Sequence, residues 1–245
     1  MLSLDIGASG MQAQQTNVDV ISNNIANMST SGFKRQRVEF QDLIYQNRER
    51  PGAPAAADGT NVPSGLQIGL GVRTASTYRS HEQGALENTG NVLDMAISGE
   101  GYFQIEQPNG DIAYTRNGTF QVNEDGELVT TQGNTVEPGI NIPENATGIN
   151  VNEQGQVSVT LPNQVDEQVV GRIELAQFVN PAGLEAVGSN LFEETEASGA
   201  PIVGNPGEEE FGNIRQGFVE SSNVSVVDEM TNMISAQRAY EMNSR

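Results

Sequence analysis

The residues of this chain that could bind a metal or perform catalysis are few and scattered. The 245 residues include one histidine, His81, and no cysteine, so thiolate metal sites and disulfides are excluded. A lone histidine without a marked carboxylate pair is typical of a surface residue. The acidic runs at 193–196 and 208–210 are typical of solvated loops, with weak cation binding as the less favoured alternative.

Sequence motifs for nucleotide, calcium or nucleophilic sites are also incomplete. Asn123–Glu127 resembles half a calcium loop, but its spacing does not fit, and Asp125-Gly126 is already explained as a turn. Gly99-Glu100-Gly101 lacks the helix that a dinucleotide site needs after it, and no Walker or Gly-x-Ser-x-Gly segment occurs. We therefore expect no enzyme activity, no cofactor and no metal.

The charge of −20 is concentrated in the middle of the chain. Residues 1–50 carry five bases and five acids, and residues 222–245 carry two bases and three acids, which leaves five bases and 24 acids between them. Nucleic acids and anionic membranes require a basic surface, so neither is expected as a partner. Asp5 interrupts the N-terminus and no apolar run has the length of a signal or membrane segment, which on residues alone indicates a cytoplasmic protein without membrane insertion.

The first 28 residues have the spacing of an amphipathic helix. Two heptad registers form its stripe, one of Leu4, Met11, Val18 and Ile25 and the other of Gly7, Gln14, Ile21 and Met28. No neighbouring segment of the sequence supplies a helix to cover this stripe. Its partner must come from elsewhere in the chain or from another copy.

The last 20 residues repeat the pattern. Ser225 is a plausible N-cap, Asp228 and Glu229 suit the first turn, and the predicted apolar face contains Val226, Val227, Met230, Met233, Ile234 and Tyr240. We expect the two terminal helices to pair with each other and then with copies. Because such an interface joins different surfaces of successive copies, it can build a filament that does not close.

Between the first helix and the rest lies a junction, Asn23–Lys34. Its three asparagines and its Ser-Thr-Ser cluster are expected to end the helix, and Gly32 provides the backbone freedom for a turn. Lys34, Arg35 and Arg37 follow as a basic cluster, which we expect to balance acids on a neighbouring copy.

The middle of the chain has strand and turn signals. Hairpins are predicted at Asn109-Gly110, Asp125-Gly126 and Gln154-Gly155, and a long alternating strand at Val169–Val179. Residues 38–46 fit either a helix extension or a strand, and a polar linker spans 51–63. The predicted fold is mainly β with N- and C-terminal α-helices, an antiparallel β domain inserted between two terminal coiled-coil-forming helices.

Both ends of the chain resemble a known family. Gln14–Thr16, Asn23, Asn24, Ile25, Ala26 and Asn27, and then Gly32, Phe33, Lys34 and Arg35, are similar to the N-terminal signature of the flagellar basal-body rod and hook proteins, the axial family of the bacterial flagellum. Ser222–Val224, Met233-Ile234 and Gln237–Glu241 resemble its C-terminal signature. Phe40–Gln46, Pro63–Gly69 and Phe178–Glu185 are most similar to its distal-rod members.

The resemblance implies a structural subunit that self-assembles through its terminal helices into a tubular drive shaft with an export channel. It implies as partners copies of the chain, proximal-rod and hook-side axial proteins, peptidoglycan and outer-membrane ring proteins, and the flagellar export apparatus. It also implies that the rod crosses the periplasm and that the subunit is exported without a cleaved signal, which replaces the cytoplasmic location expected from the residues alone. Family members continue for several turns beyond Arg245, so we expect a truncated or incompletely represented end.

The expected domains are 1–35, an axial helix with its junction; 36–80, an arm that reaches a neighbouring subunit; 81–221, the β domain; and 222–245, the second axial helix. Two other functions stay open. The nearer is a proximal-rod or hook subunit, and the more distant is an acidic β-rich enzyme acting on glycans through a carboxylate pair. The absence of tryptophan and the 5% aromatic content leave little for sugar stacking.

Overall fold

The computed structural model describes residues 2–49, 65–162, 166–208 and 211–244, so the predicted linker at 51–63 lies outside the described residues. The chain forms two compact units. The helical unit comprises residues 1–26, 36–79 and 225–245, and the β unit comprises residues 27–35 and 80–224.

The helical unit contains the two terminal helices and a pair of nested ribbons. Its elements are α1 (Leu2–Ala26), β1 (Gln36–Asp42), β2 (Tyr45–Glu49), β3 (Leu66–Gly69), β4 (Val72–Arg79) and α2 (Val226–Ser244). Strands β1 and β4 pair antiparallel, as do β2 and β3, so the segment after the junction is extended and not a helix continuation. Helix α1 packs against α2, β1 and β4. The expected pairing of the two ends of the chain is thus formed within one molecule.

The β unit consists of short strands joined by turns. They are β5 (Leu86–Asn88), β6 (Met95–Ser98), β7 (Tyr102–Glu106), β8 (Ile112–Thr115), β9 (Phe120–Val122), β10 (Leu128–Thr130), β11 (Thr135–Val136), β12 (Gly148–Val151), β13 (Gln156–Thr160), β14 (Gln168–Arg172), β15 (Leu175–Gln177), β16 (Glu185–Gly188), β17 (Leu191–Glu193), β18 (Ile202–Gly204), β19 (Asn213–Gln216) and β20 (Phe218–Glu220). One 3-10 turn lies at Pro181–Gly183.

One large sheet organises this unit. Its nine described strands include the path β16-β17-β8-β7-β11-β10-β9, and β15 joins β7 to β18. Strands β12, β13 and β14 form a second sheet, and β6 pairs with β19 and β5 with β20. The core is apolar and contains Phe103, Ile105, Phe120, Val159 and Leu175. A smaller aromatic cluster joins Tyr102, Tyr114, Phe178 and Phe192.

The predicted hairpins and the fold class are confirmed. Strands β7 and β8, β9 and β10, and β12 and β13 pair antiparallel across the turns that contain Gly110, Gly126 and Gly155, each with positive φ. The single strand predicted over Val169–Val179 is wrong. The chain forms β14 and β15 there, in different sheets, and the completely buried Ile173 lies between them.

Candidate assembly interface

Small side chains occupy part of the inner face of the helix pair. Ala13 on α1 and Ala236 on α2 are buried, and Gly7 and Gly10 face the C-terminal end of α2. A Cβ atom on Gly10 would lie 2.9 Å from Asn243 Nδ2, and one on Gly7 would lie 3.4 Å from the Asn243 carbonyl oxygen. Small residues therefore let the two helices approach closely at this end of the pair.

The predicted α1 residues are divided between covered and open positions. Ile21 is buried, Met11, Val18 and Ile25 are half-buried, and Leu4 is 66% exposed. Met28 lies in the junction after the helix and is exposed. The register that contains Leu4, Met11, Val18 and Ile25 thus retains apolar surface that its own chain does not cover.

The predicted α2 residues are more open. Val227, Met230 and Ile234 are 75%, 55% and 51% exposed, respectively, and Val226 and Tyr240 are also exposed, whereas Met233 is half-buried. At about 100° per residue, Val227 and Ile234 lie about 160–180° around the helix from the buried Ala236. We call Val227, Met230 and Ile234 the α2 stripe; it faces away from α1 and is continuous along two turns.

Asn24 joins three elements of the helical unit. Its Oδ1 accepts a hydrogen bond from the Gln36 N–H at 2.9 Å, and its Nδ2 donates to the Gln36 carbonyl at 2.7 Å and to Glu229 Oε2 at 3.1 Å. Asn24 and Glu229 are both 1% exposed. One side chain thus ties the end of α1 to the start of β1 and to the first turn of α2. Glu229 therefore does more than complement the helix dipole, which is all that the sequence predicted for it.

Gly32 makes the turn predicted for the junction, under two constraints. Its φ is +71°, a conformation that residues with a Cβ rarely adopt. A Cβ at this position would lie 2.6 Å from the Asn117 backbone nitrogen. The Gly32 N–H donates to the Glu220 carbonyl at 2.8 Å, so the turn is fixed on strand β20.

Lys34 is completely buried, and the expectation that it balances an acid on a neighbouring copy is wrong. Its ammonium lies 2.6 Å from Glu220 Oε1 and donates to the Glu82 carbonyl at 2.7 Å. Arg116 Nη1 lies 3.4 Å from the other oxygen of Glu220. Burial lowers the pKa of the Lys34 ammonium, and the carboxylate of Glu220 opposes that shift. This ion pair lies within one chain, although its partners are 186 residues apart.

Asn223 holds the same junction from the C-terminal side. Its Oδ1 accepts from the Arg35 N–H at 2.7 Å, and its Nδ2 donates to the carbonyls of Ser80 and Glu82 at 3.1 and 3.0 Å. Sequence reasoning placed Asn223 in the C-terminal signature without a contact, and it missed Glu220 and Arg116. An acid at the end of β20 and an asparagine shortly before α2 are the signals that could have pointed to these contacts.

The remaining signature residues at the junction line its surface. Asn23 and Ala26 are exposed, whereas Asn27 and Phe33 are half-buried. The Thr30 N–H donates to the Asn27 carbonyl at 3.1 Å, which begins the turn after α1. Geometry thus assigns Asn24, Gly32 and Lys34 to internal contacts and leaves the others at the surface.

The chemistry-bearing side chains do not converge. Among the described residues, no group of three or more His, Asp or Glu side chains is arranged to hold a metal ion. His81 is half-buried, with Nδ1 2.7 Å from the Tyr102 hydroxyl, and its ring lies 5.9 Å from that of Phe192. Neither described helix is both long and apolar enough to cross a membrane.

Three family descriptions match successive parts of the chain. "Flagella basal body rod protein" matches residues 4–34, "Flagellar hook protein FlgE/F/G D1 domain" matches 96–159, and "Flagellar basal body rod FlgEFG protein C-terminal" matches 215–245. The first covers α1 with its junction and the last covers α2, so the matched ends include the elements that carry the candidate interface.

Similar proteins extend over the whole chain. The flagellar basal-body rod protein FlgG of Caulobacter vibrioides is 55% identical over 100% of this chain and 94% of its own length, and that of Agrobacterium fabrum is 50% identical with the same coverage. That of Bacillus subtilis is 41% identical over 99% of this chain and 92% of its own length. A solved structure, the hook protein FlgE2 of Helicobacter pylori, is 16% identical with a TM-score of 0.27, over 76% of this chain and 43% of that one. On these full-length identities the chain belongs to the flagellar basal-body rod protein family, as a structural subunit of the distal rod.

Proposed function

We propose that copies of this chain stack through their terminal helices to form the wall of a tubular drive shaft, which transmits motor torque and leaves a central export channel. The α2 stripe is the observation that supports this most directly. Three large apolar side chains stand exposed on the helix face opposite α1. A continuous apolar stripe of this kind on a helix marks an interaction surface.

The twelve predicted interface residues remain part of this proposal. The open positions on α1 and α2 supply the contacts between copies, whereas Ile21 supports the helix within its own chain. Each apolar side chain that becomes buried contributes roughly 1.5–3 kcal/mol, so a few per copy are enough to drive stacking. Asn24 ties α1 to α2 and β1 within the helical unit that makes that contact.

The proposal is tested by placing charge on the α2 stripe. Val227→Asp with Ile234→Asp should abolish rod formation, followed by sedimentation and electron microscopy, because two carboxylates would be buried between copies at a cost of several kcal/mol. Ser235→Asp adds a charge to an exposed position of the same helix outside the stripe and should leave assembly intact. Rods that form normally from the double variant would refute the proposal.

An aspartate at Ile21 is a poorer test, although the α1 pattern suggests it. Ile21 is 5% exposed, so a charge there damages the chain's own helical unit and stops assembly for either reason. The exposed α2 positions separate the two effects. Far-ultraviolet circular dichroism of each variant serves as the check that the monomer keeps its structure.

The finer assignments of partner and place belong to the same proposal. Copies of the chain, proximal-rod and hook-side axial proteins, the peptidoglycan and outer-membrane ring proteins and the export apparatus are its partners, and the rod crosses the periplasm after export without a cleaved signal peptide. The four segments 1–35, 36–80, 81–221 and 222–245 act as axial helix, arm, β domain and second axial helix. The subunit works without catalysis. The relatives favour neither a proximal-rod or hook identity nor a glycan-acting enzyme.

A further inference from the structure

The helical unit contains a hollow beside α1. Its volume is about 380 Å³, and it is lined by Ile6, Gly10, Ala13, Gln14, Phe40, Gly71, Val72 and Asn243. Six of these eight residues are glycine or apolar, and the polar Gln14 and Asn243 complete the lining. Both helices and two strands therefore form a concave, largely apolar surface, of a volume that can accept large side chains.

Two glycines in the lining have no room for a side chain. A Cβ on Gly10 would lie 2.9 Å from Asn243 Nδ2. Gly71 has a φ of +113°, and a Cβ there would clash with the Ser9 hydroxyl oxygen. The surrounding chain therefore excludes a larger residue at both positions.

Charge indicates which kind of surface can enter the hollow. The helical unit has seven bases and nine acids, a net of −2, whereas the β unit has five bases and 23 acids, a net of −18. Identical β units repel each other, so contact between copies is least opposed where both surfaces come from the helical unit. The α2 stripe is an exposed apolar surface on that unit, and each of its three side chains is more than half exposed.

We propose that the α2 stripe of one copy seats in the hollow of the next copy. This inference rests on the proposed function and names the two surfaces that meet. The stripe and the hollow are different surfaces of the same unit, so the contact is heterologous. Each copy offers both surfaces, and the contact can be repeated without closing, as a rod requires.

Disulfide trapping tests this pairing, because the chain contains no cysteine of its own. Met230→Cys places a thiol on the stripe and Phe40→Cys places one at the rim of the hollow. A small fraction of each single variant is assembled with excess unmodified chain, so that rods form even if one substitution weakens stacking. Mild oxidation should then link the two variants, since neighbouring thiols in an assembly have a high effective concentration.

Three controls test whether the disulfide link is specific to the stripe and the hollow. Ser235→Cys, on the same helix but outside the stripe, should link to Phe40→Cys about tenfold less or lower still. Each variant assembled without the other should give no linked pair. Leu4→Cys with Phe40→Cys reports whether α1 of a neighbour occupies the hollow instead.

Each outcome decides between the two proposals. A strong link between Met230→Cys and Phe40→Cys supports the seating of stripe in hollow. Rods that form without that link, or that link Leu4→Cys to Phe40→Cys instead, overturn this inference and leave the proposed function standing. If the unmodified chain forms no rods with its axial partners, the proposed function itself fails and this inference falls with it.

Discussion

Gly32 is required by two constraints, its own backbone conformation and a neighbouring part of the chain. Its turn could be predicted from the Ser-Thr-Ser-Gly sequence, because glycine is the residue that tolerates positive φ. The second constraint is the close approach of the Asn117 backbone nitrogen, and it could not be predicted from the sequence. That contact comes from a strand turn more than 80 residues away, and no local pattern reports it.

Gly32→Ala should therefore lower the free energy of unfolding by more than the same substitution at an ordinary turn glycine. Backbone strain at positive φ costs about 1–2 kcal/mol, and the clash with Asn117 adds to it. Gly110→Ala is the matched control, since Gly110 has a φ of +87° and nothing within 4 Å of the added methyl group. Denaturant unfolding of both variants measures the difference, and equal losses would contradict the close approach at Gly32.

Lys34 is the residue at which sequence reasoning failed. A lysine followed by two arginines within three positions indicates a solvated basic patch, and its actual partner lies at the other end of the chain. Long-range ion pairs leave no periodic signal. The buried pair with Glu220 was therefore accessible only from the folded structure.

Replacing Lys34 should be costly because it leaves buried partners behind. Lys34→Met removes the cation beside Glu220 and the donor to the Glu82 carbonyl, so it should lower the free energy of unfolding by about 3–5 kcal/mol. Arg172→Met removes an exposed base from the same unit and should change the free energy of unfolding by less than about 1 kcal/mol. If denaturant titration shows the two variants to be equally stable, the buried ion pair has no structural role.

Among the elements, hairpins were the most predictable and helix faces the least. The turns at Gly110, Gly126 and Gly155 are local, so three strand pairs could be predicted from dipeptides and alternation. Heptad spacing predicted both helices but not which face pairs within the chain. The buried positions include Ala13 and Ala236, which carry little hydrophobic signal, whereas the larger Val227 and Ile234 are exposed.

Asn24→Leu tests the junction between α1, β1 and α2. Leucine is similar to asparagine in size, but it leaves the Gln36 backbone groups without their side-chain partner and removes a donor to Glu229. The substitution should therefore lower the free energy of unfolding by about 1–3 kcal/mol. Hydrogen exchange of α2 amides measures the loss, since the helix should open more often. Gln15→Leu, an exposed change on α1, should leave that exchange unaltered, and identical behaviour of the two variants would contradict the account.

Across the whole molecule, the net charge is divided unequally between the two units. The β unit carries a net charge of −18 over a well-formed apolar core, and the helical unit is close to neutral with apolar side chains left open. Composition already placed the acids in the middle of the sequence. It could not show that residues 36–79 join the helices in one unit, because that depends on contacts made in the folded chain. This charge distribution suits a subunit whose nearly neutral unit makes the contacts between copies.

Hydrogen–deuterium exchange, compared between the soluble chain and the assembled rod, tests the central claim most directly. If copies stack through their terminal helices, protection gained on assembly should be largest in α1 and α2, because amide groups there open less often once their exposed stripes are covered. The buried strands of the β unit, such as β7, should change little. Protection gained mainly in the β unit, with both helices exchanging as they do in the free chain, would contradict the account.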